Sequence, residues 1–402
     1  MIRVNENFLN LKDNYLFTEI AKRTNHFKEM NPDANIIKLG IGDVTLPLPS
    51  CVIDAMHSAV DDLSNKDSFK GYGPEIGYDF LREKISKWDY KKNSIMIDKD
   101  EIFISDGIAS DIGNFGDLLS ENISVGIANP VYPEYLDVSL MSGRVNIVYI
   151  PFSAENNFTP SLPTRNIDLI YICMPNNPTG TALTKTELKR WVDYAIKEKS
   201  LILFDNAYEK YIEEDDIPHS IYEIDGAKKV AIEFRSYSKN AGFTGVRCGY
   251  TVVPREVCAY DLSDKEIKLN SLWNRRQCTK FNGASYISQK GAEALYTEKG
   301  QKQISESINY YKYNCKIMRE SLIQAGYETY GGVNSPYVWF KVPIGYTSWE
   351  YFDLLLNKVN VVTTPGSGFG TEGEGYIRLS AFGTHESTIE AMERIKNFVK
   401  KI

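Results

Sequence analysis

The chain has 402 residues, 43% of them hydrophobic and 25% charged, the make-up of an ordinary soluble globular protein with enough apolar material for a sizeable core in one to three domains. Its 46 Lys+Arg against 53 Asp+Glu leave a formal net charge of −7. No basic footprint for nucleic acid or an anionic membrane is therefore expected.

Six cysteines (Cys51, Cys173, Cys248, Cys258, Cys278 and Cys315) form no CxxC. They read as reduced, mostly buried thiols, which points to a reducing compartment and a cytoplasmic protein. The four histidines lack HExxH or similar spacing, so no protein-ligated metal is expected. The opening MIRVNENFLNLKDN has no basic stretch followed by an apolar one, so no signal peptide is expected. No apolar run approaches the roughly 20 residues of a membrane helix.

The first 45 or so residues, punctuated by Pro and Asn, read as an arm that docks elsewhere. The middle of the chain alternates strand and helix patterns. Candidate strands are Ile102–Ser105, Ser124–Ile127, Asn146–Ile150, Leu169–Cys173, Leu201–Phe204 and Val230–Phe234. The clearest helix runs from Thr184 to Lys197. Thr184 and Glu187 make a capping box, and Leu188, Trp191, Val192, Ala195 and Ile196 repeat on one face. Such alternation predicts a mainly parallel sheet covered on both sides. Beyond it, a long helix over Gln301–Ala325, strands at Tyr337–Lys341 and Tyr376–Ser380 and a last helix over Ser387–Val399 predict a separate α+β layer.

Four loops in the sheet region carry chemistry. Pro175-Asn176-Asn177-Pro178-Thr179-Gly180 follows the strand Leu169–Cys173, at the strand end where parallel sheets bind ligands. Asp205 closes the apolar run Leu201–Phe204, with Tyr208 three residues on; it reads as a turn cap or as a buried anion awaiting a cation. Ser236-Tyr237-Ser238-Lys239 and Gly242-Phe243-Thr244-Gly245-Val246-Arg247 offer hydroxyls, a lysine and an arginine, which suit a phosphate and a nucleophilic amine. Ser105-Asp106-Gly107-Ile108-Ala109-Ser110 joins strand to helix, and helix-start amides attract phosphate. GSGFG at 366–370 reads as a flexible turn, since it matches no nucleotide fingerprint.

Each loop alone has an ordinary structural reading. In this order they resemble the fold type I pyridoxal-phosphate aminotransferases, whose hallmarks are NNPTG, the strand-ending Asp with its Tyr, and SxSK followed by GxxGxR. Further blocks at 13–23, 38–49, 105–113, 241–254, 281–289, 335–343 and 361–383 are similar to the LL-diaminopimelate aminotransferase subfamily, so the resemblance covers nearly the whole chain. It implies an α/β fold: a large domain with a mainly parallel seven-stranded sheet sandwiched by helices, plus a smaller α+β domain. The parts are then an N-terminal arm packing on the small domain (1–45), the large cofactor-binding domain (46–290) and the small C-terminal domain (291–402).

The resemblance also implies roles. Lys239 would hold pyridoxal 5'-phosphate through its amine and act as general base and acid. Asp205 would pair with the protonated pyridine nitrogen. Tyr208 and Asn177 would bond the ring oxygen, and Tyr132 would stack on the ring. The amides of Ile108 and Ala109, with Ser236, Ser238 and Arg247, would hold the phosphate. Arg378 would clamp the substrate α-carboxylate, with Asn177 and Gly42 beside it and Tyr15 closing over it. A homodimer would complete each site through Tyr72 and Asn282 at the partner's cofactor and Glu75 at the substrate's distal amino group. The implied reaction is ping-pong exchange of an amino group between an amino acid and a 2-oxo acid: LL-2,6-diaminopimelate and 2-oxoglutarate giving tetrahydrodipicolinate and glutamate.

Three positions depart from the subfamily. Ala109 stands where a lysine is expected, Leu46 where an acidic residue is common, and Tyr286 where Asn is usual. They imply a shifted amino donor. Other readings are a β-lyase on the same scaffold, a non-catalytic pyridoxal-phosphate-binding regulator, and a nicotinamide-linked dehydrogenase, the last lacking a glycine fingerprint.

Overall fold

The computed structural model describes residues 1–11 and 16–399. Its centre is a seven-stranded sheet. The spatial order is Ile102–Ser105, Gly249–Val252, Ala231–Ser236, Leu201–Asp205, Leu169–Cys173, Val125–Asn129 and Ile147–Pro151. All neighbours are parallel except Gly249–Val252, which runs antiparallel to both strands beside it. The central strands are buried along their whole length. That is why their sequences are unbroken apolar runs rather than alternating ones.

The six expected strands are present; Ile102–Ser105 and Leu169–Cys173 have the expected bounds, and the other four have ends shifted by one or two residues. The antiparallel strand Gly249–Val252 was not expected, because four residues opening on a glycine give almost no periodicity to read. The helix Lys185–Glu198 has the expected Thr184–Glu187 capping box and buries Leu188, Trp191, Val192 and Ala195. Ile196 instead stays 43% exposed at the edge of that face.

A second, four-stranded sheet is antiparallel in the order Thr329–Gly331, Tyr337–Lys341, Tyr376–Ser380 and Thr364–Pro365. The helices Glu298–Gln324, Ser348–Val359 and His385–Val399 accompany it. The N-terminal residues dock here. Ile37–Lys38 pairs in parallel with Val361–Val362. In the helix Leu16–Met30, Arg23 bonds Asp353 at 2.6 Å and lies 4.3 Å over Trp349. The turn Glu6–Asn10 lies against the helix Glu134–Met141 beside the first sheet. Among the described residues no helix is long and apolar enough to cross a membrane.

GSGFG is not a loose turn. Residues Gly366–Phe369 form a 3-10 turn in which Gly366 and Phe369 are buried. A Cβ on Gly366 would overlap the Gly373 carbonyl, and one on Gly368 would overlap Leu16. The glycines serve close packing of backbone, not freedom of movement.

Candidate active site

Three adjoining strands deliver side chains to one sheet edge. Asp205 ends its strand in register with Cys173, which ends the next, and Ser236 ends the strand on the other side. All three line a cavity of about 460 Å³, within the size range of cofactor and small-molecule sites. Burial pushes the Cys173 thiol well up, so it stands there as a neutral group.

Asp205 is a buried carboxyl bonded by neutral donors. Tyr135 donates its hydroxyl at 2.5 Å and Ala207 its amide at 3.2 Å. Burial, opposed by these two bonds, still pushes the carboxyl up to about 6. Lys239 follows on the short helix Ser238–Ala241. Its Nζ donates to the Gly42 carbonyl. Burial lowers its pKa to about 8; Asp43 works against the shift, and Arg378 and Arg247 add to it.

The turn into the helix Ile108–Phe115 forms a second corner. The first amides of a helix have no intrahelical acceptor, so those of Ile108 and Ala109 are available to an anion. Ser236 Oγ accepts the Ser238 amide at 3.1 Å, and both serines line the cavity. Arg247 is solvent-exposed. Its guanidinium lies so close to Gly107 (φ +127°) that a Cβ there would overlap it.

The second sheet supplies the opposite wall. Arg378, 1% exposed, donates to Asn177 Oδ1 and to the Gly40 carbonyl, each at 2.7 Å. Its guanidinium lies 4.5 Å from the Tyr337 ring and 4.9 Å from that of Phe369. Gly42 passes beneath Tyr337, where a Cβ would sit 2.8 Å from the phenol oxygen. Tyr208 is buried, with its hydroxyl 3.0 Å from that of Tyr337. Tyr132, half-buried, meets Tyr135 edge-on at 5.8 Å.

Of the expected residues, Lys239, Asp205, Tyr208, Asn177, Tyr132, Ile108, Ala109, Ser236, Ser238, Arg247, Gly42 and Arg378 share this cavity. Tyr72, Glu75 and Asn282 do not line it. Tyr72 is 94% exposed, and the Pro74–Glu75 backbone packs on Gly283, next to Asn282. Tyr15 lies outside the described residues. Of the three departures only Ala109 reaches the cavity. The Leu46 amide donates to the Tyr311 hydroxyl, and the Tyr286 hydroxyl donates to Asp62 at 2.7 Å.

Sequence reasoning missed Cys173, Tyr135, Tyr337 and Asp43, all of which line the cavity. Tyr135 had a signal, standing close after Tyr132 at the start of the helix Glu134–Met141; Tyr337 had none before the second sheet was placed over the first.

The cavity fits pyridoxal phosphate on its own chemistry. A buried carboxyl whose donors among the described residues are neutral suits a cationic ring nitrogen. The recess at Gly107, Arg247 and the helix amides suits a phosphate. A buried amine of lowered pKa between them suits an aldehyde.

The sequence matches the family aminotransferase class I and II over residues 34–395. It is 56% identical to a Parabacteroides distasonis protein named LL-diaminopimelate aminotransferase, over all of both chains. It is 58% identical to a Bacteroides fragilis protein of the same name, over 99% of this chain and 100% of that one. Among solved structures, L,L-diaminopimelate aminotransferase from Chlamydomonas reinhardtii superposes with a TM-score of 0.92 at 42% identity, covering 99% of this chain and 98% of that one.

Proposed function

We propose, from the premise that this chain belongs to the class I and II aminotransferases and is a pyridoxal-phosphate-dependent enzyme, that it exchanges an amino group between LL-diaminopimelate and 2-oxoglutarate by a ping-pong route. One observation carries the chemistry: Lys239, Asp205, Tyr208, Asn177 and Arg378 converge on a single cavity from four different segments. The full-length likeness to proteins named for diaminopimelate supports the substrate.

When bound, the cofactor would supply an aldehyde and an electron-accepting ring. The protein does the rest. Lys239 would hold the aldehyde, and its Nζ would take and return the Cα proton. Asp205 keeps the ring nitrogen cationic. Tyr208 and Asn177 bond the ring oxygen, and Tyr132 covers the ring face. Ile108, Ala109, Ser236, Ser238 and Arg247 hold the phosphate. Arg378 fixes the α-carboxylate, beside Gly42, and so aims the Cα–H bond. Tyr15 closes over the substrate. We read residues 1–45 as an arm, 46–290 as the cofactor domain and 291–402 as the small domain. We also read the enzyme as a cytoplasmic homodimer, in which Tyr72, Asn282 and Glu75 complete the partner's site. Six free cysteines support the reducing location.

Ala109 favours a second reading, in which the donor has shifted. Among the described residues the cations lining the cavity are Lys239, Arg247 and Arg378, and each already has a task. A missing charged hydrogen bond to a distal carboxylate weakens binding by about 1–3 kcal/mol. Steady-state assays with LL-diaminopimelate and 2-oxoglutarate, run against a panel of amino acids, separate the readings. High efficiency with diaminopimelate alone refutes the shift. Pyruvate and ammonia released without a 2-oxo acid would identify a lyase, and no amino transfer from any donor would sink the proposal.

The lowered Lys239 pKa makes a further prediction. Only the neutral amine attacks an aldehyde, so the rate of cofactor attachment to apoprotein is expected to rise with pH and level off near 8. Stopped-flow absorbance follows it. A rate still climbing about tenfold per unit between pH 8.5 and 10 would mean an ordinary lysine.

A further inference from the structure

The phenol of Tyr337 has no part in the roles assigned so far. It is 1% exposed and opens the strand Tyr337–Lys341 of the second sheet. Its hydroxyl lies 3.0 Å from that of Tyr208. Among the described residues each of the two hydroxyls has the other as its one hydrogen-bond partner. The Arg378 guanidinium lies 4.5 Å from the Tyr337 ring, and Gly42 passes so close to the phenol that a Cβ there would sit 2.8 Å from its oxygen.

A phenol has one proton to give. If Tyr208 gave its proton to Tyr337, it would have none for the cavity. If Tyr337 gives its proton to Tyr208, the Tyr208 O–H is free to point into the cavity, and accepting a bond makes it a stronger donor. The proposed role of Tyr208, donating to an anionic ring oxygen, requires the second arrangement.

We infer that Tyr337 is a positioning residue for this reaction: its hydroxyl donates to Tyr208 and thereby aims and strengthens the Tyr208 bond to the cofactor's ring oxygen, while its ring face supports Arg378. The inference rests on the reading of Tyr208 given above. Tyr337 acts through Tyr208 and Arg378. It ties the wall that holds the substrate carboxylate to the wall that holds the cofactor oxygen.

The two functions of Tyr337 separate by substitution. Tyr337→Phe keeps the ring beside Arg378 and removes only the donor. A weaker bond to an anionic oxygen favours its protonated partner, so the pH midpoint of the bound cofactor's visible absorbance is expected to rise by about 0.5–1 unit, a three- to ten-fold change in acid constant. On the same grounds kcat is expected to fall by about three- to ten-fold, with KM for the amino donor within twofold of the parent. Tyr337→Leu also removes the ring, so KM is expected to rise about three- to ten-fold in addition. Tyr208→Phe is titrated alongside. A midpoint that moves in Tyr208→Phe but not in Tyr337→Phe overturns this inference alone. No movement in either overturns the reading of Tyr208 and the inference with it. A Tyr337→Phe protein that loses its circular-dichroism spectrum shows the hydroxyl to be structural and also overturns it.

Discussion

Lys239→Ala is expected to reduce kcat by at least about 10⁴-fold, the upper range for a single acid–base group and less than the loss of a nucleophile. Cofactor should still bind, because the phosphate recess at Gly107 and Arg247 and the Asp205 carboxyl do not depend on the lysine side chain. Among the described residues Lys239 is the only lysine lining the cavity, so no neighbouring amine can take its place. Small primary amines added to the variant should restore part of the rate, since they offer the missing base without the missing geometry. Equilibrium dialysis reports cofactor binding, and stopped-flow single turnovers report the chemistry. In the parent, borohydride reduction and peptide mass analysis should place the pyridoxyl mass on Lys239. Near-normal turnover in Lys239→Ala would remove the base from the proposal.

The parts of this site that could be read from sequence share one property: each stands next to a strong local signal. Asp205 ends an unbroken apolar strand, Asn177 sits between two prolines, and Lys239 lies in a hydroxyl-rich turn after a strand. Parallel-sheet topology then forces those strand ends to one edge, so their convergence follows from the fold class. Tyr337 and Phe369 reach the cavity region only because the second sheet folds over the first. The spacing from residue 205 to residue 337 carries no trace of that. GSGFG misled for a related reason: glycine-rich composition marks mobility and tight packing alike, and only the neighbours at Leu16 and Gly373 decide between them. Leu46 and Tyr286 depart from the subfamily as Ala109 does, yet neither lines the cavity. A departure from a family pattern locates a difference without saying whether it faces the substrate.

Asp205→Asn is expected to move stability and function in opposite directions. The carboxyl has a pKa near 6 in the cofactor-free fold, raised chiefly by burial from 3.8. The folded protein therefore binds its proton more tightly than the unfolded chain does. This group's contribution to stability is fully present below pH 4 and is lost as pH rises through 6. Above that window the cofactor-free fold carries an unpaired buried anion, a penalty of roughly 2–3 kcal/mol. Asparagine removes the charge and keeps an acceptor for Tyr135. The cofactor-free variant should thus unfold at higher denaturant at pH 8, with a gain of about 1–3 kcal/mol, and the gain should vanish at pH 4. In the loaded enzyme a cationic ring nitrogen turns the same anion into an asset, so the substitution should lower kcat by about 10²–10³-fold and weaken cofactor binding. Urea unfolding at the two pH values, beside steady-state rates, tests both halves. A variant less stable than the parent at pH 8 would mean that Asp205 is satisfied without the cofactor, and the buried carboxyl could then no longer be read as one half of an ion pair.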